Sequence, residues 1–358
     1  MTETAKANEG AKLVRPRQPF DEARLADYLR GRGLRCESPI VVEQFQGGQS
    51  NPTYRVTAGD ARYVVRRKPP GKLLPSAHAV DREYRVMAAL RATDVPVPKM
   101  LALCEDESVI GTAFYVMEHV AGRILWDPSL PGMTPGERGA HYDALGGVLA
   151  SLHRVDPAAV GLADYGKAGQ YVERQVARWS KQYAGAADAG APRLAAMDKL
   201  IEWLPAHVPV SDAAAIVHGD YRMDNVIWHP TEPRILAVLD WELSTLGHPL
   251  SDFAYHAMIY RLTPSEFRGI AGLDLAALGI PDESAYVRAY EARTGIARIP
   301  ARDWTFYLAF NMFRLAAILH GVFARALQGN AADANAREMG GRAEALAELA
   351  WSLKERMD

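Results

Sequence analysis

The chain has 358 residues, enough for one large two-lobed unit or two domains. Its 41 basic and 43 acidic residues leave a formal net charge of −2, which excludes a strong electrostatic drive toward nucleic acid or an anionic membrane surface. Hydrophobic residues make up 49% of the chain, and its two cysteines, Cys36 and Cys104, supply neither a disulfide framework nor a zinc site.

Residues 1–19 are polar, lack the apolar stretch of a signal peptide and read as a disordered tail. Phe20 to Gly33 carries Leu25, Tyr28 and Leu29 at helical spacing and ends on glycine. Strands follow: "IVVEQF", the glycine-containing "QGGQSNP", then "TYRVTAGDARYVVRRK", which reads as two strands around a tight turn at Ala58-Gly59-Asp60. "DREYRVMAAL" is helical, and "MLALCED" and "TAFYVMEHV" are two further strands. Residues 20–120 therefore read as a small, mostly antiparallel sheet with one crossing helix. Residues 121–358 read as mainly helical, with strands only at "AAIVHGD", "NVIWH" and "RILAVLD". "AGAADAGAPRLA" is either a mobile loop or a frayed helix end. The longest apolar run, Trp304 to Phe313, is closed by Arg314 and falls short of the ~18 residues of a membrane span. It reads as a buried helix, and a cytoplasmic location is expected.

Two stretches carry chemistry. "IVHGDYRMDN" places Asp220 and Asn225 just past a buried strand, and Asp240 closes the apolar strand "ILAVLD" fifteen residues later. Polar turns have the same composition. Linked in this order, however, an amide and two carboxylates supply hard oxygen ligands suited to Mg²⁺ on a nucleotide's phosphates. They also leave one carboxylate, Asp220, to accept a hydroxyl proton. In the glycine turn, the backbone of Gly47 and Gly48 and the side chains of Ser50 and Asn51 are candidates for phosphate oxygens. A plain hairpin turn is the alternative there.

"HGDYRMDN" followed by "LDWE" resembles the catalytic loop and metal-binding Asp of the aminoglycoside phosphotransferase/choline kinase family, and His218, Asp220, Asn225 and Asp240 fit its spacing. The resemblance implies an α+β, protein-kinase-like two-lobed fold. It implies ATP and Mg²⁺ as cofactors, Asp220 as catalytic base, and Asn225 and Asp240 as metal ligands. His218 is then a structural member of the loop, and Asp252 braces it through backbone N–H groups. The family's phosphate-pairing lysine is replaced: "YVVRRK" puts Arg66 at that position, with Lys68 on the same face but past the apolar run. Glu83 is the expected partner of Arg66. "FYVMEHV" resembles the inter-lobe hinge, with Met117 facing the base and the main chain of Glu118 and Val120 reading it. Glu242 matches a D-x-E pattern seen in choline-kinase-like members.

From Phe253 onward there are twelve acidic and twelve basic residues, no surplus for a polycationic acceptor. "RRKPPGKLLPSAHAVDREYRV" and "FNMFRLAAILHGVFARAL" are similar to the kinase domain fused to acyl-CoA dehydrogenases. That likeness implies a hydroxyacyl-CoA or related hydroxy acid as small-molecule acceptor, with Arg222, Arg314 and His320 available to an anion. An aminoglycoside- or choline-type kinase and a nucleotide-binding pseudokinase remain the alternatives.

Overall fold

A computed structural model describes residues 13–45, 51–71, 78–167, 169–327 and 336–354. In chain order the first elements are β1 (Leu13–Val14), α1 (Glu22–Gly31), β2 (Val41–Phe45), β3 (Thr53–Ala58), β4 (Ala61–Arg67), α2 (Val80–Leu90), β5 (Met100–Cys104) and β6 (Phe114–Glu118). Then come α3 (Pro135–Arg154), α4 (Tyr171–Asp188), α5 (Ala195–Ala206), β7 (Ala215–Val217), β8 (Val226–Trp228), β9 (Ile235–Val238) and β10 (Thr245–Gly247). The remainder is helical: α6 (Pro249–Ala257), α7 (Pro264–Phe267), α8 (Leu275–Leu278), α9 (Glu283–Thr294), α10 (Ala301–Leu327) and α11 (Ala336–Lys354).

The chain forms two compact units. The first holds residues 1–133, 160–162 and 222–244; the second holds 134–159, 163–221 and 245–358. This division differs from the boundary expected after residue 120. The β8–β9 hairpin belongs to the first unit because main-chain bonds tie it there: Val238 N–H donates to Pro96, and Arg123 and Trp228 exchange bonds.

In the first unit the strands form an antiparallel sheet in the order β1-β2-β3-β4-β6-β5. Leu13–Val14 pairs with Gln44 and Phe45, so the end of the expected tail is a sheet edge instead. Alternation along each strand sorts the side chains. Val42, Tyr54, Val56, Tyr63, Val65, Phe114 and Val116 pack with Leu25 and Leu29 of α1 into one core. The opposite face receives Phe45, Thr53, Arg55, Val64, Arg66, Tyr115 and Met117, which line a cleft of about 590 Å³. On α2, Val80, Glu83, Val86, Met87 and Leu90 are buried at helical spacing, so an apolar stripe carries the Glu83 carboxylate inward.

The second unit is built around α10. Its most apolar window is long enough for a membrane span by composition, yet 83% of that window is buried inside the protein. Arg314 still closes the Trp304–Phe313 run, buried apolar residues continue beyond it to Ala326, and the helix is buried as expected. A capping box between Thr134 and Glu137, with Pro135 in the first turn, starts α3. Strand β10, which the sequence pattern did not mark, pairs antiparallel with β7. Of the Ala/Gly-rich segment, residues to Asp188 complete α4, and the Tyr183 hydroxyl accepts from Leu194 N–H at 2.6 Å beyond it.

Candidate active site

Arg66 stands in the middle of a polar row across three strands, because β-sheet register sets it opposite Thr53 and Tyr115. Its Nε lies 3.0 Å from Glu83 Oε2, and its Nη2 donates to Asp240 Oδ1 at 2.7 Å and Glu242 Oε2 at 3.3 Å. Burial alone would make the guanidinium easier to deprotonate; the charges of Glu83 and Asp240 more than reverse this and hold its proton tightly. Glu83 is 1% exposed and also accepts from Tyr115 Oη at 3.1 Å and Asn51 Nδ2 at 2.9 Å. Asn51 is fully buried, and its carbonyl oxygen lies 3.0 Å from His78 Nδ1. This corrects the expectation of a phosphate-facing Asn51: its amide braces Glu83. Gly47, Gly48 and Ser50 lie outside the described residues.

The fifteen-residue gap between Asn225 and Asp240 is closed by a hairpin. Val226 pairs with Val238, and Leu239 N–H donates to Asn225 O at 2.8 Å. Asp240 follows in a left-handed conformation, φ 65° and ψ 57°, sparsely populated for a residue with a Cβ. Strain of this kind costs on the order of 1–3 kcal/mol and persists where surroundings impose it. Both residues line the cleft, together with Arg222, Asp224, Met117, Glu118 and Val120. Glu118 N–H is already given to Lys99 O, and its Oε1 accepts from Lys99 N–H at 2.8 Å. Among the described residues no group of three or more His, Cys, Asp or Glu could hold a metal ion unaided. One amide and one carboxylate fit a Mg²⁺ ion that takes its remaining ligands from phosphate and water.

In the second unit the loop after β7 is held from below by Asp252. Its Oδ2 accepts from His218 N–H at 2.7 Å and its Oδ1 from Gly219 N–H at 2.8 Å. His153 Nε2 lies 3.2 Å from Oδ2, and its Nδ1 lies 2.6 Å from Tyr290 Oη. Burial works to raise the Asp252 pKa, but the His153 bond and charge and the His218 contacts hold it below the usual carboxylate value. The bracing role expected of Asp252 is thus what the geometry shows. Gly219 has φ 82°, the left-handed region open to glycine, and this turn delivers Asp220 past the strand. Asp220 N–H donates to His218 Nδ1 at 3.2 Å, and Tyr255 Oη donates to Asp220 Oδ1 at 2.5 Å. Arg314 is 5% exposed, and its Nη2 donates to Gly219 O at 2.6 Å. His320 is 1% exposed, and its ring lies against that of Tyr183.

Residues 41–286 match the family model described as the APH phosphotransferase enzyme family. The chain belongs to that family. As a member of the phosphotransferase family it is 48% identical, over 95% of its length, to acyl-CoA dehydrogenase family member 10 of Mus musculus, and it spans 32% of that relative. It also resembles the crystal structure of a putative aminoglycoside phosphotransferase from Ralstonia eutropha JMP134. The TM-score is 0.84 at 53% identity, covering 94% of this chain and 99% of that one. A more distant likeness, TM-score 0.55 at 17% identity over 92% of this chain and 97% of the other, is to an aminoglycoside phosphotransferase mutant crystallised with AMP-PNP and hygromycin B. The last comparison concerns the fold alone. The family's phosphotransferase, kinase-like fold accounts for the β-sheet unit and the helical unit described above.

The sequence reading omitted Thr53, Tyr115 and Tyr255. Strand alternation carried the signal for the first two, since Tyr115 shares a face with Met117 and Thr53 with Arg55. Tyr255 lies three residues after Asp252, hence on the same helical face.

Proposed function

We propose that this protein is an ATP- and Mg²⁺-dependent kinase that transfers the γ-phosphate to a hydroxyl of a small molecule, a hydroxyacyl-CoA or related hydroxy acid. The observation that carries this reading is the hairpin that joins Asn225 to Asp240 at the edge of the cleft, with Arg66 reaching Asp240. Phe45, Val64, Met117, Ile227 and Leu239 give that cleft apolar walls suited to a nucleobase, while its polar end carries the two oxygen donors. Asn225 and Asp240 would hold Mg²⁺, which when bound neutralises charge on the nucleotide's phosphates.

The chain's own residues have separable tasks. Arg66, anchored on Glu83, presents a fixed cation to the phosphates. Asp220, five positions before Asn225 in the same loop, takes the proton of the acceptor hydroxyl as the new P–O bond forms. Asp252 keeps the Asp220 loop in place through two N–H groups. The acceptor class is supported by likeness to acyl-CoA dehydrogenase family member 10, of which this chain covers about a third.

The test is a transfer screen with ATP and Mg²⁺ across hydroxyacyl-CoAs, free hydroxy acids, choline-like alcohols and aminoglycosides. Asp220→Asn should lower transfer by 10²-fold or more, on the order of what general base catalysis contributes, while Mg²⁺·ATP still binds. Asp240→Ala should instead weaken the Mg²⁺-dependent part of nucleotide affinity. Nucleotide binding without turnover on any acceptor would favour a pseudokinase, and transfer to aminoglycosides alone would overturn the acceptor class.

A further inference from the structure

Asp220 is gripped by a side chain with no place in the mechanism above. Tyr255 is 4% exposed, and its hydroxyl donates to Asp220 Oδ1 at 2.5 Å. It stands on α6 three residues after Asp252, so one helical turn aims both residues at the loop from His218 to Asp220. Arg314 of α10 supports the arrangement. Its guanidinium carbon is 4.9 Å from the Tyr255 ring centroid and 5.6 Å from that of Trp179.

We propose that Tyr255 is a positioning residue for the phosphotransfer base and that Arg314 holds Tyr255 in place. The inference rests on the reading of Asp220 as that base. A carboxylate's terminal torsion is broad and nearly two-fold, so an unrestrained Asp220 would present either oxygen, at many angles, to an acceptor. Donation from Tyr255 engages Oδ1 and restricts the rotation of the group, which favours one carboxylate orientation toward the acceptor's proton. The donor is itself fixed: the tyrosine is buried, and the Arg314 cation lies over its ring. The same arginine ties down the Gly219 carbonyl beside the base, so one side chain restrains both the loop and the residue that orients it. Among the described residues Arg314 Nε makes no hydrogen bond, and the contacts that place this buried cation are the Gly219 carbonyl and the Tyr255 and Trp179 rings.

The experiment compares full-length wild type with Tyr255→Phe, which removes one oxygen and keeps the ring under Arg314. Single-turnover loss of γ-phosphate from Mg²⁺·ATP, with water or a hydroxyacyl-CoA as acceptor, should fall roughly 10- to 100-fold in rate, the range expected of a misplaced reacting group. KM for ATP should stay within about twofold, since binding is uniform in both proteins. In an Asp220→Asn background the same substitution should cause no further loss. An unchanged rate, or equal losses in both backgrounds as a merely structural role would give, overturns the proposal. High-resolution crystal structures give a second readout independent of turnover, with one Asp220 carboxylate orientation in wild type and more than one in Tyr255→Phe. If wild type transfers phosphate to nothing, including water, the base reading fails on its own. The crystal pair then decides about Tyr255, and an unmoved Asp220 in the variant overturns its positioning role.

Discussion

Arg66 Nη2 donates to Asp240 Oδ1 at 2.7 Å, joining the central strand of the sheet to the residue that closes the β8–β9 hairpin. A lysine at this position has one ammonium, whereas the guanidinium fork reaches Glu83 through Nε and Asp240 through Nη2 together. The exchange of lysine for arginine thus changes what is connected and not merely the reach of a charge.

Arg66→Lys should therefore keep the protein folded at a cost of about 1–2 kcal/mol, the loss of one charge-assisted bond. Arg66→Met should cost about 3–5 kcal/mol, because it leaves the buried Glu83 without a cation. Thermal denaturation measures both losses. Titration with a fluorescent ATP analogue should find affinity nearly kept in the lysine variant and reduced at least tenfold in the methionine variant. Equal behaviour of the two variants would show that charge geometry at this position is irrelevant.

Asp252→Asn should detach the loop without emptying the cleft. The asparagine side chain has one acceptor oxygen where the carboxylate uses two, so its NH₂ group must oppose either the His218 or the Gly219 N–H. A loss of about 2–4 kcal/mol is expected for a broken buried charged network. Phosphate transfer should fall with it. Nucleotide affinity should hold, because every residue lining the cleft belongs to the other compact unit. Urea denaturation and nucleotide titration check the two halves separately, and parallel losses would contradict the division of tasks.

How much of this was legible in the sequence depends on how local each signal is. His218, Asp220, Asn225 and Asp240 could be picked out because strand ends and short spacings leave their imprint within a few residues. The pairing of Arg66 with Glu83 was implied by the family resemblance, and strand register with helical spacing then brings the two together. The bond from Arg66 to Asp240 could not be read, because it joins residues 174 positions apart and depends on how the hairpin seats against the sheet. The inward turn of Asn51 was hidden for a similar reason: a polar residue after a glycine turn looks solvent-facing until Glu83 is placed behind it. Arg314 inside an apolar helix read as available to an anion, and its use of a backbone carbonyl followed from neither pattern nor composition.

Two buried histidines give the second unit a defined response to acid. Burial pulls His248 and His256 each down to about 4 from the usual 6.5, with the charge of His153 adding to the effect at His248. His248 sits 2.9 Å from Ser211 Oγ through Nε2 while its Nδ1 accepts from Leu250 N–H; His256 Nε2 lies 2.7 Å from Tyr286 Oη. Both sites thus suit a neutral ring. In the unfolded chain each ring takes up a proton near pH 6.5, and in the folded chain only near 4, so the unfolded state binds more protons between these values. Stability should therefore be full above about pH 6.5 and fall as the pH drops toward 4, by up to roughly 3 kcal/mol for each histidine. His256→Gln should lower stability at pH 7.5 through the lost contact with Tyr286, yet show a shallower decline between pH 6.5 and 4. Denaturant midpoints measured across that range provide the check. A variant whose decline runs parallel to that of the wild type would assign the acid sensitivity to other groups.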